Sequence, residues 1–237
     1  EQLREKITDK TKLLILPYPN NPTGAIMSKS DMEAIAEVLD GTDILVLSDE
    51  IYGELRYSDE RHTPFSAIKN MYDRTVVVNG FSKAYAMTGW RLGYAIGPSP
   101  IIKLMTKVHQ YGIMSSPTTS QYAAIEALRN CDEDVEEMCR EYNYRRRVIV
   151  DGFREMGLSC FEPYGAFYVF PCIKATGMTS EEFCNRLLEE EKVAVVPGTA
   201  FGECGEGFVR CSYAYSVENI EEALKRIGRF VEKYIEA

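Results

Sequence analysis

The sequence predicts an α/β fold with a mainly parallel, doubly wound sheet, followed by a smaller C-terminal α/β domain. Short apolar or β-branched runs at residues 13–16, 44–47 and 75–78 read as buried strands that alternate with segments of helical periodicity. This alternation is typical of parallel sheets. Polar residues follow each of the three runs, and the carboxyl ends of parallel strands are where open α/β sheets bind ligands.

Local sequence signals predict each element of the first half of the chain. Ser30 and Glu33 have the spacing of a capping box, and apolar residues continue at helical intervals through residue 39. Residues 93–97 follow the third strand as a further apolar segment. Helices are then predicted at about residues 100–111 and 120–128.

The second half begins with a long charged helix at about residues 132–156, which Gly157 closes. Beyond it the apolar patterns predict two strands and two helices of a small α/β layer. The predicted strands are residues 166–170 and 208–213, and the predicted helices are residues 179–190 and 217–234.

Charge and cysteine usage exclude several classes of protein. The net charge of −9 over 237 residues argues against a nucleic-acid partner, and residues 145–147, three arginines, are interpreted as one solvated side of a helix. No run of about 18 apolar residues predicts a membrane span. Seven cysteines without a Cys-x-x-Cys pair, beside two histidines, indicate reduced thiols in a cytoplasmic protein and no metal site.

The most informative stretch is residues 79–91, directly after the third strand. Lys83 can bond to an aldehyde, while Ser82 and Arg91 can hold a phosphate, so the stretch suits a phosphorylated aldehyde cofactor. An isolated Ser-Lys pair is more often part of a surface loop. Residues 20–24 and 48–52, after the first two strands, add an amide and a carboxylate with a phenol. Together the three strand ends match the needs of pyridoxal 5′-phosphate.

These segments resemble the fold-type I, class I/II pyridoxal-phosphate aminotransferases, in the branch that holds many bacterial aspartate and aromatic enzymes. The match runs in the family's order from Lys12 to the C-terminus, through residues 165–168, 195–201 and 208–214. Residues 16–19 and 108–111 look most like a Gram-positive subgroup described as aromatic or N-acetyl-diaminopimelate aminotransferases. Such ordered agreement is specific for the family and says little about the substrate.

The resemblance implies a role for each residue around the cofactor ring. Lys83 is the catalytic lysine that bonds to the cofactor and then moves a proton. Asp49 faces the pyridine nitrogen and keeps it protonated. Tyr52 and Asn21 bond the phenolate oxygen of the ring. Read from the residues alone, Asn21 fits a turn and Asp49 a helix cap.

The resemblance also implies which residues bind the charged groups of the cofactor and of the substrate. Ser82 and Arg91 bind the cofactor phosphate, and Arg210 holds the α-carboxylate of the substrate with two parallel hydrogen bonds. A single arginine in a strand-like run is otherwise commonly solvated or paired on an edge. His109 is at a helix end and is not placed in the site.

By the same resemblance, residues 1–131 are the remnant of a large cofactor domain and residues 157–237 form the small C-terminal domain. Residues 132–156 are the long helix that connects the two. Family members carry an N-terminal portion ahead of this point, with further phosphate contacts, an aromatic ring that stacks on the pyridine and a residue given to the neighbouring subunit. We therefore expect a fragment with weak or no activity, which forms a homodimer when full length. An unpaired sheet edge and an uncovered apolar face would favour association.

The predicted function is transfer of an amino group between an L-amino acid (aromatic, aspartate-type or N-acetyl-diaminopimelate) and a 2-oxo acid. Two alternatives stay open. A pyridoxal-phosphate β-lyase needs the same lysine, aspartate and arginine, because fold and cofactor do not fix which bond is broken. An effector domain of a transcription regulator is the less favoured alternative.

Overall fold

The computed structural model describes residues 1–58 and 60–235. The chain divides into two compact units, and each is described by itself. The first unit comprises Glu1–Pro19 and Ile26–Glu137, and the second comprises Asn20–Ala25 and Met138–Ala237.

The first unit is an α/β layer around a four-stranded sheet. Its strands are β1 (Leu13–Pro17), β2 (Leu45–Asp49), β3 (Thr75–Gly80) and β4 (Gly93–Ile96). Its helices are α1 (Gln2–Lys6), α2 (Lys29–Leu39), α3 (Ser99–Gly112), α4 (Thr118–Asn130) and the first turns of α5 (Asp132–Glu155). The strands lie in the order β1-β2-β3-β4, with the first three parallel and β4 antiparallel to β3. The sheet is therefore mixed, and the α/β class is confirmed.

Helix α2 forms the core of this unit with the sheet. Met32, Ala36 and Leu39 recur at the spacing of one helical face and are buried against Leu16 and Val46. This packing holds β1 and β2 side by side, so their carboxyl ends reach the same edge of the sheet.

The predicted capping box of α2 was wrong by two residues. Ser28, not Ser30, is the N-cap: its Oγ accepts from the amide of Asp31 (3.1 Å), and Asp31 Oδ2 accepts from the amide of Ser28 (3.0 Å). The Ser28–Asp31 pair has the same spacing as Ser30–Glu33, and aspartate serves here in place of glutamate. The hydrogen bonds from Ser28 hold the pKa of the Asp31 carboxyl below its usual value.

Apolar side chains remain in solvent on two parts of the first unit. On β1, Leu13 is 50% and Ile15 is 56% exposed. Helix α3, whose residues are all described, buries none of them, and Leu104 and Val108 are largely exposed. Uncovered apolar surface of this kind favours association with another surface.

The second unit packs the rest of α5 and two further helices around a small antiparallel sheet. Its elements are β5 (Tyr168–Val169), α6 (Ser180–Glu191), β6 (Val196–Pro197), β7 (Val209–Ser212) and α7 (Val217–Val231). The strand order is β5-β7-β6, so β7 is the central strand. Phe183 of α6 and Phe230 of α7 are buried and meet edge to face, with ring centroids 5.3 Å apart.

The three consecutive arginines of α5 do not form one solvated side, as the sequence suggested. Arg146 is buried and forms an ion pair with Glu162, whose other oxygen accepts from Arg154 at 2.7 Å. Successive residues of a helix project about 100° apart, so three in a row cannot share one face. Arg147 is exposed, as predicted for the whole run.

Candidate active site

The first unit gathers predicted site residues at the carboxyl ends of β2 and β3. Asp49 is the last residue of β2 and lies in register with Val78 of β3. Tyr52 follows β2, and Lys83 follows β3. Lys83 Nζ lies 5.7 Å from the centroid of the Tyr52 ring, so the two strand ends bring an amine and a phenol together.

Short hydrogen bonds order the turn that carries Asp49 and Tyr52. Asp49 Oδ1 accepts from the amide of Ile51 at 3.2 Å. The amide of Gly53 donates to the carbonyl of Glu50 (2.8 Å), and the amide of Leu55 donates to the carbonyl of Tyr52 (2.9 Å). Tyr52 is itself buried. The two side chains therefore project from a fixed backbone.

The loop after β3 connects Ser82 with Arg91 through Thr88. Thr88 Oγ1 donates to the carbonyl oxygen of Ser82 (2.9 Å), and Arg91 Nη1 donates to the carbonyl oxygen of Thr88 (2.8 Å). Arg91 has a left-handed backbone with φ of 53°. Ser120 Oγ donates to the carbonyl of Trp90 and fixes the end of the loop against α4. The role of Thr88 in this loop was not predicted, because no sequence pattern indicates hydrogen bonds to a residue six positions before it and from one three positions after it.

Aromatic packing supports the same loop. Phe81 contacts Tyr85 and Tyr94, with ring centroids 5.5 and 5.9 Å apart. Burial, with the nearby carboxylates, raises the pKa of both phenols. Both tyrosines therefore stay neutral at physiological pH, and their rings pack against Phe81.

The second unit brings Asn21 and Arg210 together. Arg210 lies on β7, and its Nη1 donates to the side-chain oxygen of Asn21 across 3.1 Å. The guanidinium packs against two rings, with its carbon 4.6 Å from the centroid of Tyr168 and 4.9 Å from that of Phe201. The contact of Arg210 with these two rings was not predicted from the sequence. Tyr168 and Phe201 nevertheless lie in segments that resemble the aminotransferase family.

One donor of Arg210 is buried without a hydrogen bond in the described part of the chain. This is the Nε–H group, which points along one edge of the guanidinium fork. A buried donor without a partner costs free energy of about 1–3 kcal/mol, more where the group is charged. The guanidinium also carries further N–H groups, and such a planar fork matches the two oxygens of a carboxylate.

The loop at Asn21 is fixed by hydrogen bonds within the second unit. The amide of Gly24 donates to the carbonyl of Asn20 (2.9 Å), and the amide of Gly165 donates to the carbonyl of Gly24 (2.9 Å). Thr23 Oγ1 donates to the side-chain oxygen of Asn20 (2.9 Å). Asn21 therefore stands on a turn, as its Asn-Pro-Thr-Gly sequence predicts, and is also paired with Arg210.

The seven cysteines, all within the described residues, form no disulfide. Burial raises the pKa of Cys160 and of Cys184 to about 11. Within residues 1–58 and 60–235, no group of three His, Cys, Asp or Glu side chains could hold a metal ion. Over the same ranges, no helix combines the length and apolar character needed to cross a bilayer.

Comparison with known proteins gives the family. The family model for aminotransferase class I and II matches residues 1–227. This chain belongs to the aminotransferase class I and II family, whose members generally use pyridoxal phosphate.

The similar proteins include enzymes of different named substrates. The chain is 48% identical to an aspartate aminotransferase of Pyrococcus abyssi (strain GE5 / Orsay), over 97% of this chain and 59% of that protein. It is 43% identical to aromatic-amino-acid aminotransferase 2 of Thermococcus litoralis, over 98% of this chain and 60% of that protein. A crystal structure of an aromatic aminotransferase from Pyrococcus horikoshii OT3 matches with a TM-score of 0.95 at 46% identity, over 98% and 63% of the two chains. The chain thus spans about 60% of the length of the curated relatives it matches.

The donor set of the first unit fits pyridoxal phosphate. An amine at Lys83 suits the aldehyde, and the Asp49 carboxylate suits a protonated ring nitrogen. The Tyr52 phenol suits the phenolate oxygen, while Ser82 and Arg91 suit a phosphate. The observation that supports this fit is the approach of Lys83 Nζ to the Tyr52 ring, at 5.7 Å.

Proposed function

We propose that the full-length protein that carries this chain is a pyridoxal-phosphate-dependent aminotransferase, whereas the 237-residue chain alone is weak or inactive. The substrates are an L-amino acid and a 2-oxo acid. The proposal rests chiefly on one observation, the 5.7 Å approach of Lys83 Nζ to Tyr52 where β2 and β3 end. Membership of the family supports it, and the shorter span relative to the relatives supports the second clause.

The residues of the first unit hold and tune the cofactor in this proposal. Pyridoxal phosphate, when bound, supplies an aldehyde that condenses with amines and a ring that accepts the electron pair released at the substrate Cα. Asp49 keeps the ring nitrogen protonated through its negative charge. Tyr52 donates its phenolic hydrogen to the phenolate oxygen. Ser82 and Arg91 bind the phosphate.

Lys83 is the proton carrier. With pyridoxal phosphate and a substrate bound, its Nζ would be the base that takes up the substrate proton and returns it. An amino acid and then a second oxo acid would react in turn, which is a ping-pong cycle.

Arg210 binds the α-carboxylate, and Asn21 aids it. The hydrogen bond from Arg210 Nη1 to the side-chain oxygen of Asn21 fixes one arm of the fork. The planar guanidinium of Arg210, which presents several N–H donors in one fork, supports a carboxylate as its ligand. With its oxygen used in this way, Asn21 retains its amide NH2 to donate to the phenolate oxygen of the cofactor.

Membership of the family supports a proposal for the substrate class and the assembly. Aspartate-type, aromatic and N-acetyl-diaminopimelate substrates are the candidates, and relatives named for each of the three are similar to this chain to nearly the same degree. The full-length protein is proposed to act as a homodimer in the cytoplasm.

The test is a transamination assay of the full-length protein with a panel of amino acids and 2-oxoglutarate. Stoichiometric formation of glutamate and of the matching oxo acid supports the proposal. Pyruvate and ammonia from a cysteine-like substrate, released without an acceptor, would show elimination instead. Cofactor binding without either reaction, together with DNA binding, would identify a regulator.

A further inference from the structure

A buried carboxylate lies between the two cofactor residues of β2 and its turn. Glu50 directly follows Asp49, stands two residues before Tyr52 and is only 2% exposed. Side chains alternate along an extended backbone, so Glu50 points to the same side as Ser48 and away from Asp49. The carboxylate of Glu50 is therefore behind the candidate site rather than in it.

Three donors compensate the burial of this carboxylate. Ser48 Oγ (2.9 Å) and the amide of Phe65 (3.0 Å) donate to Oε1, and His62 Nε2 is 2.8 Å from Oε2. An ionised carboxylate only accepts hydrogen bonds, so Nε2 is assigned as the protonated nitrogen of His62. A carboxylate buried without such partners would be strongly destabilising. Two of the three donors lie 12 and 15 residues further along the chain.

The backbone of Glu50 is tied into the site. Its amide donates to the carbonyl of Val78 on β3 (2.9 Å), and its carbonyl accepts from the amide of Gly53 (2.8 Å). Fixing the side chain of Glu50 therefore fixes the backbone from which Asp49 and Tyr52 project. His62, 17% exposed, provides the side-chain donor to Oε2.

We propose that Glu50 and His62 are positioning residues, a buried hydrogen-bonded pair that holds Asp49 and Tyr52 in the geometry that the cofactor ring requires. This inference rests on the proposed function for the identity of the cofactor. Neither residue touches the reacting atoms, so both act through the turn. A purely structural pair would lower stability but leave the cofactor contacts of the folded protein unchanged.

The test uses His62→Leu, His62→Gln and Glu50→Gln in the full-length protein. Leucine removes the donor, whereas the side-chain amide of glutamine reaches the position of Nε2 and can restore it. His109→Leu is the matched control, because His109 is the other histidine of the chain and is exposed on α3. Hydrogen exchange of residues 49–55 in the cofactor-free protein is measured first. The dissociation constant and visible band of added pyridoxal phosphate are measured second.

We expect His62→Leu to speed exchange at residues 49–55 about tenfold. We also expect it to weaken cofactor binding about tenfold, the equivalent of one hydrogen bond to a charged group, with a displaced visible band. His62→Gln should recover most of both effects, and His109→Leu should show neither. Wild-type exchange and affinity in folded His62→Leu would overturn the proposal. If His62→Leu does not fold, the same exchange and affinity measurements on Glu50→Gln test the positioning role, since glutamine keeps the volume of the side chain.

The two proposals fail separately. A wild-type protein that gives no visible band with pyridoxal phosphate contradicts the proposed function, while the exchange data still decide whether the pair positions the turn. A wild-type protein that binds the cofactor, with variants that bind it equally well, contradicts the positioning role alone.

Discussion

Arg210 donates a hydrogen bond to Asn21 across 3.1 Å, although 189 positions separate the two residues in the chain. The sequence interpretation gave these residues different tasks, one at the substrate carboxylate and the other at the cofactor oxygen. In the function proposed above, this contact places the proposed carboxylate-binding group beside the residue proposed to bind the cofactor oxygen. The rings of Tyr168 and Phe201 pack against the same guanidinium.

The first prediction concerns Arg210→Lys in the full-length protein. Lysine keeps the charge but loses the planar fork and its stacking on Tyr168, so it cannot bind a carboxylate through two parallel bonds. We expect kcat/KM for transamination to fall roughly 100-fold, the equivalent of one or two charge-assisted hydrogen bonds. The visible band of the bound cofactor should not change. Arg147→Lys, on an exposed position of α5, is the control and should retain full activity.

A second prediction tests the loop at Ser82. Thr88→Val keeps the shape of the side chain but removes the hydroxyl that donates to the carbonyl of Ser82. Loss of one hydrogen bond is worth about 1 kcal/mol, so the affinity for pyridoxal phosphate should fall about fivefold. Affinity for pyridoxal, which has no phosphate, should stay the same if the loop serves the phosphate. Thr106→Val, which removes a similar bond to the carbonyl of Ile102, is the control. An equal loss for both ligands would count against the assignment.

Gly24→Ala should disturb the loop of Asn21. Gly24 has φ of +69°, and an added Cβ would meet the Cβ of Pro163 at 2.3 Å and the carbonyl oxygen of Gly165 at 2.9 Å. We expect a loss of about 1–3 kcal/mol in the free energy of unfolding, measured by urea denaturation. Gly41→Ala is a close control, since Gly41 has φ of +71° but no atom within 4 Å of its added Cβ. Equal losses for the two variants would mean that backbone strain alone, rather than the contact with Pro163, lowers the free energy of unfolding.

The cap of α2 gives a prediction with a pH dependence. Ser28→Ala should lower the free energy of unfolding by about 1 kcal/mol near neutral pH. The pKa of Asp31 is lowered in the folded state, so its stabilising contribution is present above the unfolded pKa and is lost as the pH falls through the folded one. The difference between wild type and Ser28→Ala should therefore narrow below about pH 4. Ser30→Ala should have the smaller effect at neutral pH, and the opposite order would restore the cap first predicted from the sequence.

Strong periodic patterns made much of the fold predictable. The runs at 13–16, 44–47 and 75–78 became β1, β2 and β3 with ends shifted by one or two residues, and the long charged helix is α5. The antiparallel orientation of β4 was not predicted, because an apolar run indicates a strand but not its direction in the sheet. The cap of α2 was misplaced because two serines with an acidic residue three positions later stand side by side.

The placement of three candidate residues was predictable because they follow strands, whereas their roles stay a prediction. Asp49, Tyr52 and Lys83 lie at the same edge of the sheet because β2 and β3 are parallel neighbours. The roles of Thr88 and His62 depend on loops that fold back over several residues, and no local pattern encodes such contacts. The burial of Arg146 was likewise hidden, because its partner Glu162 comes from outside the helix.

The identity of the cofactor-binding lysine is tested by the visible absorption spectrum of the full-length protein with pyridoxal phosphate, compared with Lys83→Ala and with the control Lys103→Ala on the exposed face of α3. We expect a visible band in the wild type and in Lys103→Ala, its absence in Lys83→Ala, and its conversion when glutamate is added. A band that persists unchanged in Lys83→Ala would show that Lys83 is not the catalytic, cofactor-binding lysine.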